Sequence, residues 1–430
     1  MSDISSAKPS SSTTSEVDIA IVGGGMVGAS LALLLSSLNL GWGIKVIEAF
    51  PMTSATDHLQ SSFDARSTAL SHSSREVFEI LDLWPTLSPR LAEIKEVHVS
   101  DRGHIGNTRL NASEQNFPAL GYVVENQWLR SVLMTALQQA PNVDILAPAQ
   151  VSSVKPVRGG MQLSISGCEV NTSLHAKLLV VADGAQSCTR EMLGIDTTTR
   201  DYGQVAVIAN ISLQLDHGGV AYERFTDSGP MAMLPLQSVG EEHRSALVWT
   251  LPPDRAAAMM AAPDEAFLSE LQDRFGHRLG QFQRVGSRHS YPIRLITSNE
   301  QVRSHVVVMG NAAHSLHPVA GQGFNLALRD VAVLVNELAK NASRGLALGD
   351  LAVLQGYINQ QQTDQQQTIL LSDLLPKVFG IDASPVPLAR NLGLLALDTV
   401  PLLRHQFARL GMGLETRGTT LIEKGAPANG

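Results

Sequence analysis

The most regular hydrophobic pattern of the chain lies near its start. Residues 17–22 form a short apolar run rich in β-branched side chains, which predicts a buried parallel strand. Three glycines follow, and an apolar stretch over 29–35 predicts a helix. A second apolar run, 44–47, ends on Glu48, 20 residues after Gly28. This order predicts a strand–turn–helix–strand unit of a parallel sheet.

Apolar strands and amphipathic helices continue to alternate further along the chain. Leu129, Leu133 and Leu137 have helical spacing, and Pro141 follows the predicted end of that helix. The alternation predicts a Rossmann-like α/β domain. Strands are predicted at 97–103 (running into a turn), 120–124, 143–147, 151–156, 161–166, 169–175, 177–182 and 304–309, and helices at 71–83, 126–140 and 324–338.

Residues 200–295 follow a different pattern. Period-two alternation recurs there in four segments with turn residues between them, and one helix is predicted near 264–275. The segments are 204–213, 219–225, 231–236 and 245–251. They predict a separate, mainly antiparallel sheet, which could wall off a substrate pocket. From 346 to 415 the pattern is helical.

The glycines between the first strand and the first helix match a GxGxxG turn. Gly23 permits a tight turn, Gly25 lets the backbone approach a pyrophosphate, and Gly28 lets the helix pack on the strand. The helix start offers free N–H groups and the positive end of its dipole. Glu48 can accept hydrogen bonds from ribose hydroxyls, and its charge would repel a 2′-phosphate. These residues predict FAD or NAD, not NADP.

Composition narrows the class of protein. The net charge is −8 and no basic stripe is visible, which argues against a nucleic-acid partner. Two cysteines give no disulfide framework and fit a reducing compartment. No apolar run reaches the ~18 residues of a membrane span. Residues 1–16 are Ser/Thr-rich and are expected to be a disordered tail, neither a secretory signal nor a mitochondrial presequence.

Two later segments repeat the design of a strand that ends in a glycine turn. Asp183-Gly184 follows the strand at 177–182, where open α/β sheets bind ligands; a plain turn is the alternative reading. Gly310-Asn311 opens a second glycine-rich loop, which runs to Gly323 and precedes a second helix. Both segments are candidates for cofactor contacts.

Three further segments leave alternatives open. Arg66 lies in a loop after the second strand, where it could meet phosphate or flavin oxygens or pair with Asp64 at the surface. The glutamine-rich stretch 360–367 is interpreted as a solvated helix face. The leucines of 386–410 favour packing on the core, with a membrane-surface or partner-binding face as the alternative.

Together, Gly23–Gly28 with Glu48, Asp183-Gly184, and Gly310-Asn311 with the loop to Gly323 resemble the single-component FAD-dependent aromatic hydroxylases. More narrowly, 97–103, 223–236 and 310–330 resemble the ubiquinone-biosynthesis branch of that family. The resemblance covers residues 17–415, and the run His317 to Asp330 is its most specific part. It implies an FAD-binding domain in two parts, 17–199 and 296–345, a substrate-binding β-sheet domain at 200–295, C-terminal helices at 346–415 and a tail at 416–430.

The resemblance also implies the residues that contact FAD. They are Gly23, Gly25, Met26, Val27, Gly28, Glu48, Arg66, Asn126, Arg130, Asp183, Gly310, Asn311, Pro318, Gly321, Gln322, Gly323, Phe324 and Asn325. His317 and Pro318 would position the flavin and the substrate for catalysis. Two positions depart from the family pattern. Asn311 replaces the usual Asp and can still bind FAD, and Asn126 replaces an Arg that many relatives have, with Arg130 one turn later as a substitute.

The activity implied is hydroxylation of a polyprenylated phenol in ubiquinone biosynthesis. NADH or NADPH would be the transient electron donor and O2 the co-substrate, through a flavin C4a-hydroperoxide that the 200–295 sheet shields from water. The alternatives are a hydroxylase for another ring position, a flavin-dependent prenyl reductase, and a non-catalytic FAD-holding subunit of a biosynthetic complex.

The prenyl tail implies a cytoplasmic protein that is peripheral at a bacterial inner membrane and works with other ubiquinone-biosynthesis proteins. His314 and His317 are three residues apart, but a zinc site needs more ligands, and the flavin loop explains both positions.

Overall fold

The computed structural model describes residues 14–52, 66–102, 107–167, 172–316 and 321–380. The strands within these ranges are β1 (Thr14–Val22), β2 (Ile44–Ile47), β3 (Ser67–Ser71), β4 (Ala92–Ile94), β5 (Glu96–Asp101), β6 (Asn107–Asn111), β7 (Gly121–Glu125), β8 (Val143–Leu146), β9 (Gln150–Val157), β10 (Gly160–Ser166), β11 (Thr172–Val181), β12 (Thr197–Leu213), β13 (Val220–Thr226), β14 (Gly229–Val239), β15 (Glu242–Leu251), β16 (Phe282–Val285), β17 (His289–Ser298), β18 (Val302–Arg303), β19 (Val306–Val308) and β20 (His314–Ser315). The helices are α1 (Met26–Ser37), α2 (His72–Ile80), α3 (Trp84–Leu87), α4 (Asn126–Gln139), α5 (Cys188–Met192), α6 (Pro253–Ala261), α7 (Asp264–Phe275), α8 (Gln322–Ala342) and α9 (Leu351–Gly380).

The first sheet is built on parallel strands. β1 pairs with β2 on one side and with β11 on the other, and β19 pairs with the end of β11. Ile19 to Val22 of β1 are buried because helices α1, α4 and α8 cover one face and the β9–β10 hairpin lies toward the other. The predicted Rossmann-like unit is therefore confirmed, and its ligand-binding edge is the carboxyl end of β1 and β11.

The second sheet has nine strands in the order β20-β17-β12-β15-β14-β13-β5-β6, with β16 pairing with β12. Its pairs are antiparallel except β13 with β5, which are parallel. One face packs against α6 and α7 around Trp249, whose side chain is fully buried. Part of the other face packs against a small third sheet, β3-β7-β4. The predicted mainly antiparallel sheet is confirmed.

The structure differs from the expected elements in several places. The two strands expected at 169–175 and 177–182 are one strand, β11, within the described residues. The second sheet takes in β5 and β6, which lie outside the 200–295 segment assigned to it. The third sheet and α6 were not predicted, because these elements are short: β4 has three residues and α6 nine. The domain boundaries themselves stay a prediction.

The glutamine-rich stretch is helical as expected, but its interpretation as a solvated face is wrong for one side. Gln361 and Gln365 are 1% and 4% exposed, because both side-chain amides donate to the buried carboxylate of Asp330 on α8. The segment 386–410, the tail at 416–430 and residues 1–13 lie outside the described residues. The expected disordered tail at 1–16 is wrong for its last three residues, because β1 begins at Thr14 and its backbone pairs there with β11.

Candidate functional site

The first glycine turn has two fully packed glycines and one that faces open space. Gly23 has φ +106°, and a Cβ there would overlap the Ala182 carbonyl at the end of β11. A Cβ on Gly28 would overlap the Gly23 carbonyl oxygen. At Gly25, the N-cap of α1, an added Cβ would meet nothing within 4 Å. The turn thus leaves room for a ligand at the residue that caps the helix, beside its free first-turn N–H groups.

Glu48 closes the same turn from β2. Its Oε2 accepts a hydrogen bond from the Gly24 N–H at 2.7 Å, and its Oε1 accepts one from the Phe50 N–H at 3.0 Å. The residue is 9% exposed, so these donors hold an acidic side chain at the edge of the open space. Each carboxylate oxygen keeps a further lone pair for a ribose hydroxyl.

The second predicted motif meets this turn through β11. Asp183 follows the Ala182 carbonyl that contacts Gly23, and its Oδ2 accepts a hydrogen bond from the Thr189 N–H at 3.2 Å. Its Oδ1 is buried and has no hydrogen-bond partner in the described structure. A buried carboxylate oxygen without a donor is costly, so this atom indicates a ligand contact better than a plain turn does.

Arg190 joins the second motif to the third. The residue is 4% exposed, and its guanidinium donates to the Ala312 carbonyl at 2.8 Å and to the Ala185 carbonyl at 3.3 Å. The helix that carries Arg190 is capped by Ser187, whose Oγ accepts from the Arg190 N–H. Arg190 therefore joins the loop that follows β11 to the loop that follows β19.

The third motif lies against the first. Gly310 has φ +59°, and a Cβ there would meet Val27 at 3.2 Å, at the start of α1. Gly321 is the N-cap of α8, and a Cβ there would meet Ala69 of β3 at 3.2 Å. The third loop thus begins against the start of α1 and ends, at the start of α8, against the third sheet.

Asn325 fixes the start of α8 to the third sheet. Its Oδ1 accepts from the Ser71 N–H and the Ser74 hydroxyl, and its Nδ2 donates to the Ala69 and Gly321 carbonyls. The side-chain amide is thus occupied by protein groups, so its position supports the loop. Direct contact of Asn325 with a cofactor stays a prediction.

Arg66 and Asn126 are brought together at the edge of the third sheet. The Asn126 N–H donates to the Arg66 carbonyl at 2.7 Å, and the Thr68 hydroxyl donates to Asn126 Oδ1 at 2.6 Å. The Arg66 guanidinium donates to the Tyr291 hydroxyl of β17 at 2.9 Å. Tyr291 was missed, because nothing local in the sequence pairs it with a residue 225 positions away. Asp64, the alternative partner of Arg66, lies outside the described residues.

The other predicted site residues are distributed as follows. Met26 and Val27 are half-buried in the first turn of α1, Asn311 and Arg130 are exposed, Gln322 is buried, and Gly323 and Phe324 are half-buried in the first turn of α8. His317 and Pro318 lie outside the described residues. The role of each in catalysis or cofactor binding stays a prediction.

Below the third loop lies a buried polar cluster that sequence reasoning missed. His314 Nε2 donates to Asp330 Oδ2 at 2.6 Å, and the two side chains are 1% and 0% exposed. Gln361 and Gln365 of α9 donate to the other oxygen of Asp330. The cluster holds β20, the short strand within the third loop, against α8 and α9. His314 therefore has a carboxylate partner, which the metal alternative did not consider.

The site fits an FAD molecule on three observations. The space at Gly25 lies beside helix N–H groups that suit a pyrophosphate. The acidic side chain of Glu48 suits a ribose. The orphaned Asp183 Oδ1 offers a hydrogen-bond acceptor next to the third loop.

In the described part of the chain, no helix is long and apolar enough to cross a membrane.

Comparisons with known proteins agree with this geometry. A family model for the FAD binding domain matches residues 16–352. Ubiquinone hydroxylase UbiL of Rhodospirillum rubrum is 35% identical over 92% of this chain and 89% of its own. The 3-demethoxyubiquinol 3-hydroxylase of Escherichia coli is 31% identical over 94% of this chain and 100% of its own. Among solved structures, p-nitrophenol 4-monooxygenase PnpA of Pseudomonas putida superposes with a TM-score of 0.74 at 18% identity, over 92% of this chain and 97% of that one, a similarity of fold.

Proposed function

From the premise that this chain belongs to the FAD binding domain family, we propose that it hydroxylates a polyprenylated phenol in ubiquinone biosynthesis. The chain is an FAD-dependent oxidoreductase of the monooxygenase type, with NADH or NADPH and O2 as the other reactants. The relatives named for ubiquinone hydroxylation support the pathway. The phenolic substrate and its prenyl tail are the proposal.

The observation that carries the proposal is the position of the third glycine loop, which begins against α1 and ends at the start of α8 beside the third sheet. Gly310 lies against Val27, and Gly321 lies against the third sheet that Arg66 and Asn126 border. A dinucleotide that began at Gly25 could therefore extend past Asp183 toward the start of α8. A site for NAD alone would need neither the N-terminus of α8 nor the third sheet beside it.

The residues of this chain have distinct tasks in that reaction. The first-turn N–H groups of α1 hold the pyrophosphate, and Glu48 holds the adenosine ribose. The N-terminus of α8 would offer the positive end of its dipole to a bound flavin ring. FAD supplies the redox chemistry with O2, and the protein places the two rings and excludes water by means of the second sheet.

The test is a single-turnover experiment on the purified flavoprotein. The enzyme is reduced anaerobically with NADH or NADPH, and O2 is then admitted together with a short-chain 2-alkylphenol. We expect one oxygen atom in the organic product, found by mass, and O2 uptake that depends on the phenol. Saturation of a prenyl chain would identify a reductase. Flavin absorbance without phenol-stimulated NAD(P)H oxidation would identify an FAD-holding subunit.

The ring position is a finer proposal. The sequence motifs resemble those of 2-octaprenyl-6-methoxyphenol hydroxylases, whereas the Escherichia coli relative is named for a 3-hydroxylation. Isotope-labelled phenols that carry deuterium at one ring position separate these reactions, because only the hydroxylated position loses its label.

The proposed membrane contact through 386–410 predicts that a chain shortened at about residue 385 folds but is no longer recovered with membranes.

A further inference from the structure

A row of half-buried side chains crosses the second sheet on the face opposite α6 and α7. The strand register places Val99, Glu223, Ala232, Val248 and Ile208 side by side on β5, β13, β14, β15 and β12. All five keep part of their surface accessible. On the other face of the same strands, Val207, Met231, Met233, Leu247 and Trp249 are 0% exposed. Along this row the sheet is therefore less closely covered than on its opposite face.

This face of the sheet is directed toward the proposed flavin site. Tyr291 pairs with Ala206, two residues from Ile208, and its hydroxyl accepts from Arg66. Leu234, two residues from Ala232, packs in the same apolar cluster as Ala69, against which Gly321 lies. The row is thus flanked on both sides by residues that contact the cofactor loops.

Glu223 is the ionisable side chain in this otherwise apolar row. Within the described part of the chain it has neither an ion-pair nor a hydrogen-bond partner. Burial raises the pKa of its carboxyl to about 8. A desolvated carboxyl that is still partly accessible keeps its hydrogen-bonding capacity for a ligand.

We propose that Glu223 contacts the phenolic substrate and accepts the proton of its hydroxyl group during hydroxylation. The inference rests on the proposed function and names a base for it. The apolar neighbours Val99, Ala232, Val248 and Ile208 would hold the ring, and the carboxylate would supply the polar contact that orients it. The sequence alone indicated no base, although Glu223 lies in the segment 223–236 that resembles the ubiquinone-biosynthesis branch.

The proton transfer balances within the overall reaction. The phenol O–H bond breaks as Glu223 takes the proton, and the electron pair stays on the phenolic oxygen, which makes the ring a stronger nucleophile. NAD(P)H supplies two electrons, one atom of O2 enters the ring, and the other leaves as water. The ring C–H proton is released as aromaticity returns, and Glu223 returns its proton to the product oxygen or to solvent.

The charged and titratable groups around the row do not supply another explanation for the raised pKa of Glu223. They are Asp101 of β5, Arg244 of β15, His289 and Tyr291 of β17, and Asp373 of α9, which packs against β13 and β14. Arg244 is paired with Glu125, and Asp373 with Arg200 and Tyr202. Desolvation by burial is the cause of the raised pKa.

The test compares Glu223→Gln with wild type on two phenols. We expect the variant to bind FAD normally and to hydroxylate a phenol of pKa about 10 roughly 100-fold more slowly. The electrons from NAD(P)H should then reduce O2 to hydrogen peroxide without hydroxylation of the phenol. A halogenated phenol of pKa about 7 is already ionised at pH 8, so the defect should shrink to a few-fold. The wild-type rate on the weaker acid should rise with pH through about 8. In the variant this rise should be absent.

Glu241→Gln is the matched control, because Glu241 is exposed in the turn between β14 and β15. It should behave as wild type. An equal defect of Glu223→Gln on both phenols, or no defect on either, would overturn the inference while leaving the proposed function intact. A flavin-loaded wild type that hydroxylates neither phenol would overturn the proposed function and this inference together.

Discussion

At the residue scale, two glycines three positions apart have opposite tasks. Gly28 packs against the Gly23 carbonyl, whereas Gly25 faces open space. We expect Gly28→Ala to destabilise the apo-protein by about 2 kcal/mol or more, since the backbone must move to admit the methyl group. Gly25→Ala should leave the apo-protein unchanged, because its methyl group meets no protein atom, and should weaken FAD binding at least about tenfold. Thermal unfolding with and without FAD measures both effects.

A glycine-to-alanine control for Gly25→Ala needs open space at the Cβ position and a negative φ. Gly159 has the open space but a φ of +78°, so it is not suitable. Gly323 has room for a Cβ without a positive φ, so Gly323→Ala tests the second helix start in the same way. Loss of apo-protein stability in Gly25→Ala would show that the open space is filled by protein in solution.

His98 gives a pH dependence at the residue scale. Burial, with Arg278, Arg109 and Arg224 nearby, lowers its pKa from 6.5 to about 4. Because the unfolded chain binds the proton first, the free energy of unfolding should fall as the pH drops from 6.5 toward 4, by up to about 3 kcal/mol. His98→Leu should remove this loss, measured by denaturant unfolding across that pH range. His277→Gln, at an exposed site, should keep the wild-type profile.

The sequence predicted those residues whose task is local. Gly23, Gly28 and Glu48 follow from a short motif, because turn geometry and the strand–helix order are set within 32 residues of chain. Glu223 and Tyr291 could not be assigned in this way. Their roles depend on which strands pair across the second sheet, and strand register is set by contacts far apart in the chain.

At the element scale, the seam between α8 and α9 is held by buried polar pairs. Arg329 Nε donates to Asp364 Oδ2 at 2.6 Å, and the side chains are 7% and 9% exposed. Asp364→Ala should cost about 3–5 kcal/mol, because the guanidinium is left buried without its partner. Denaturant unfolding followed by tryptophan fluorescence measures the loss, and α9 should exchange its amide hydrogens faster.

The control for Asp364→Ala is another aspartate–arginine pair that is open to solvent. Asp201 and Arg294 are 52% and 49% exposed, so Asp201→Ala should cost less than about 1 kcal/mol. In the double variant Arg329→Leu with Asp364→Leu, much of the stability should return, since no charge is left unpaired. Equal losses of unfolding free energy for the two aspartate variants would mean that water reaches the pair between α8 and α9.

Elements with a long, regular pattern were predicted well, and those defined by tertiary contacts were not. The helix expected at 264–275 is α7 with the same bounds, because its period and its flanking Pro263 and Gly276 are local signals. The glutamine-rich part of α9 was predicted to be a solvated helix face. Its burial depends on Asp330 of α8, which accepts hydrogen bonds from two of the glutamines, and the sequence gives no sign of that contact.

At the scale of the whole molecule, the chain builds one site from distant segments. The return of the chain to the first sheet after residue 300 was predicted from the second glycine-rich loop. The inclusion of β5 in the second sheet was not, because its parallel pairing with β13 joins Val99 to Glu223 across more than a hundred residues. Neither strand carries a signal for that pairing in its own sequence.

The shared site predicts that FAD stabilises both glycine-lined helix starts together. At a free FAD concentration 100 times its dissociation constant, the folded state gains about 2.7 kcal/mol. Hydrogen exchange should therefore slow in residues 23–30 and in residues 310–316 and 321–328 with the same dependence on FAD concentration. The β9–β10 hairpin, on the other side of the first sheet, serves as an internal control and should change little. Protection confined to residues 23–30 would mean that the cofactor ends short of α8, as NAD alone would.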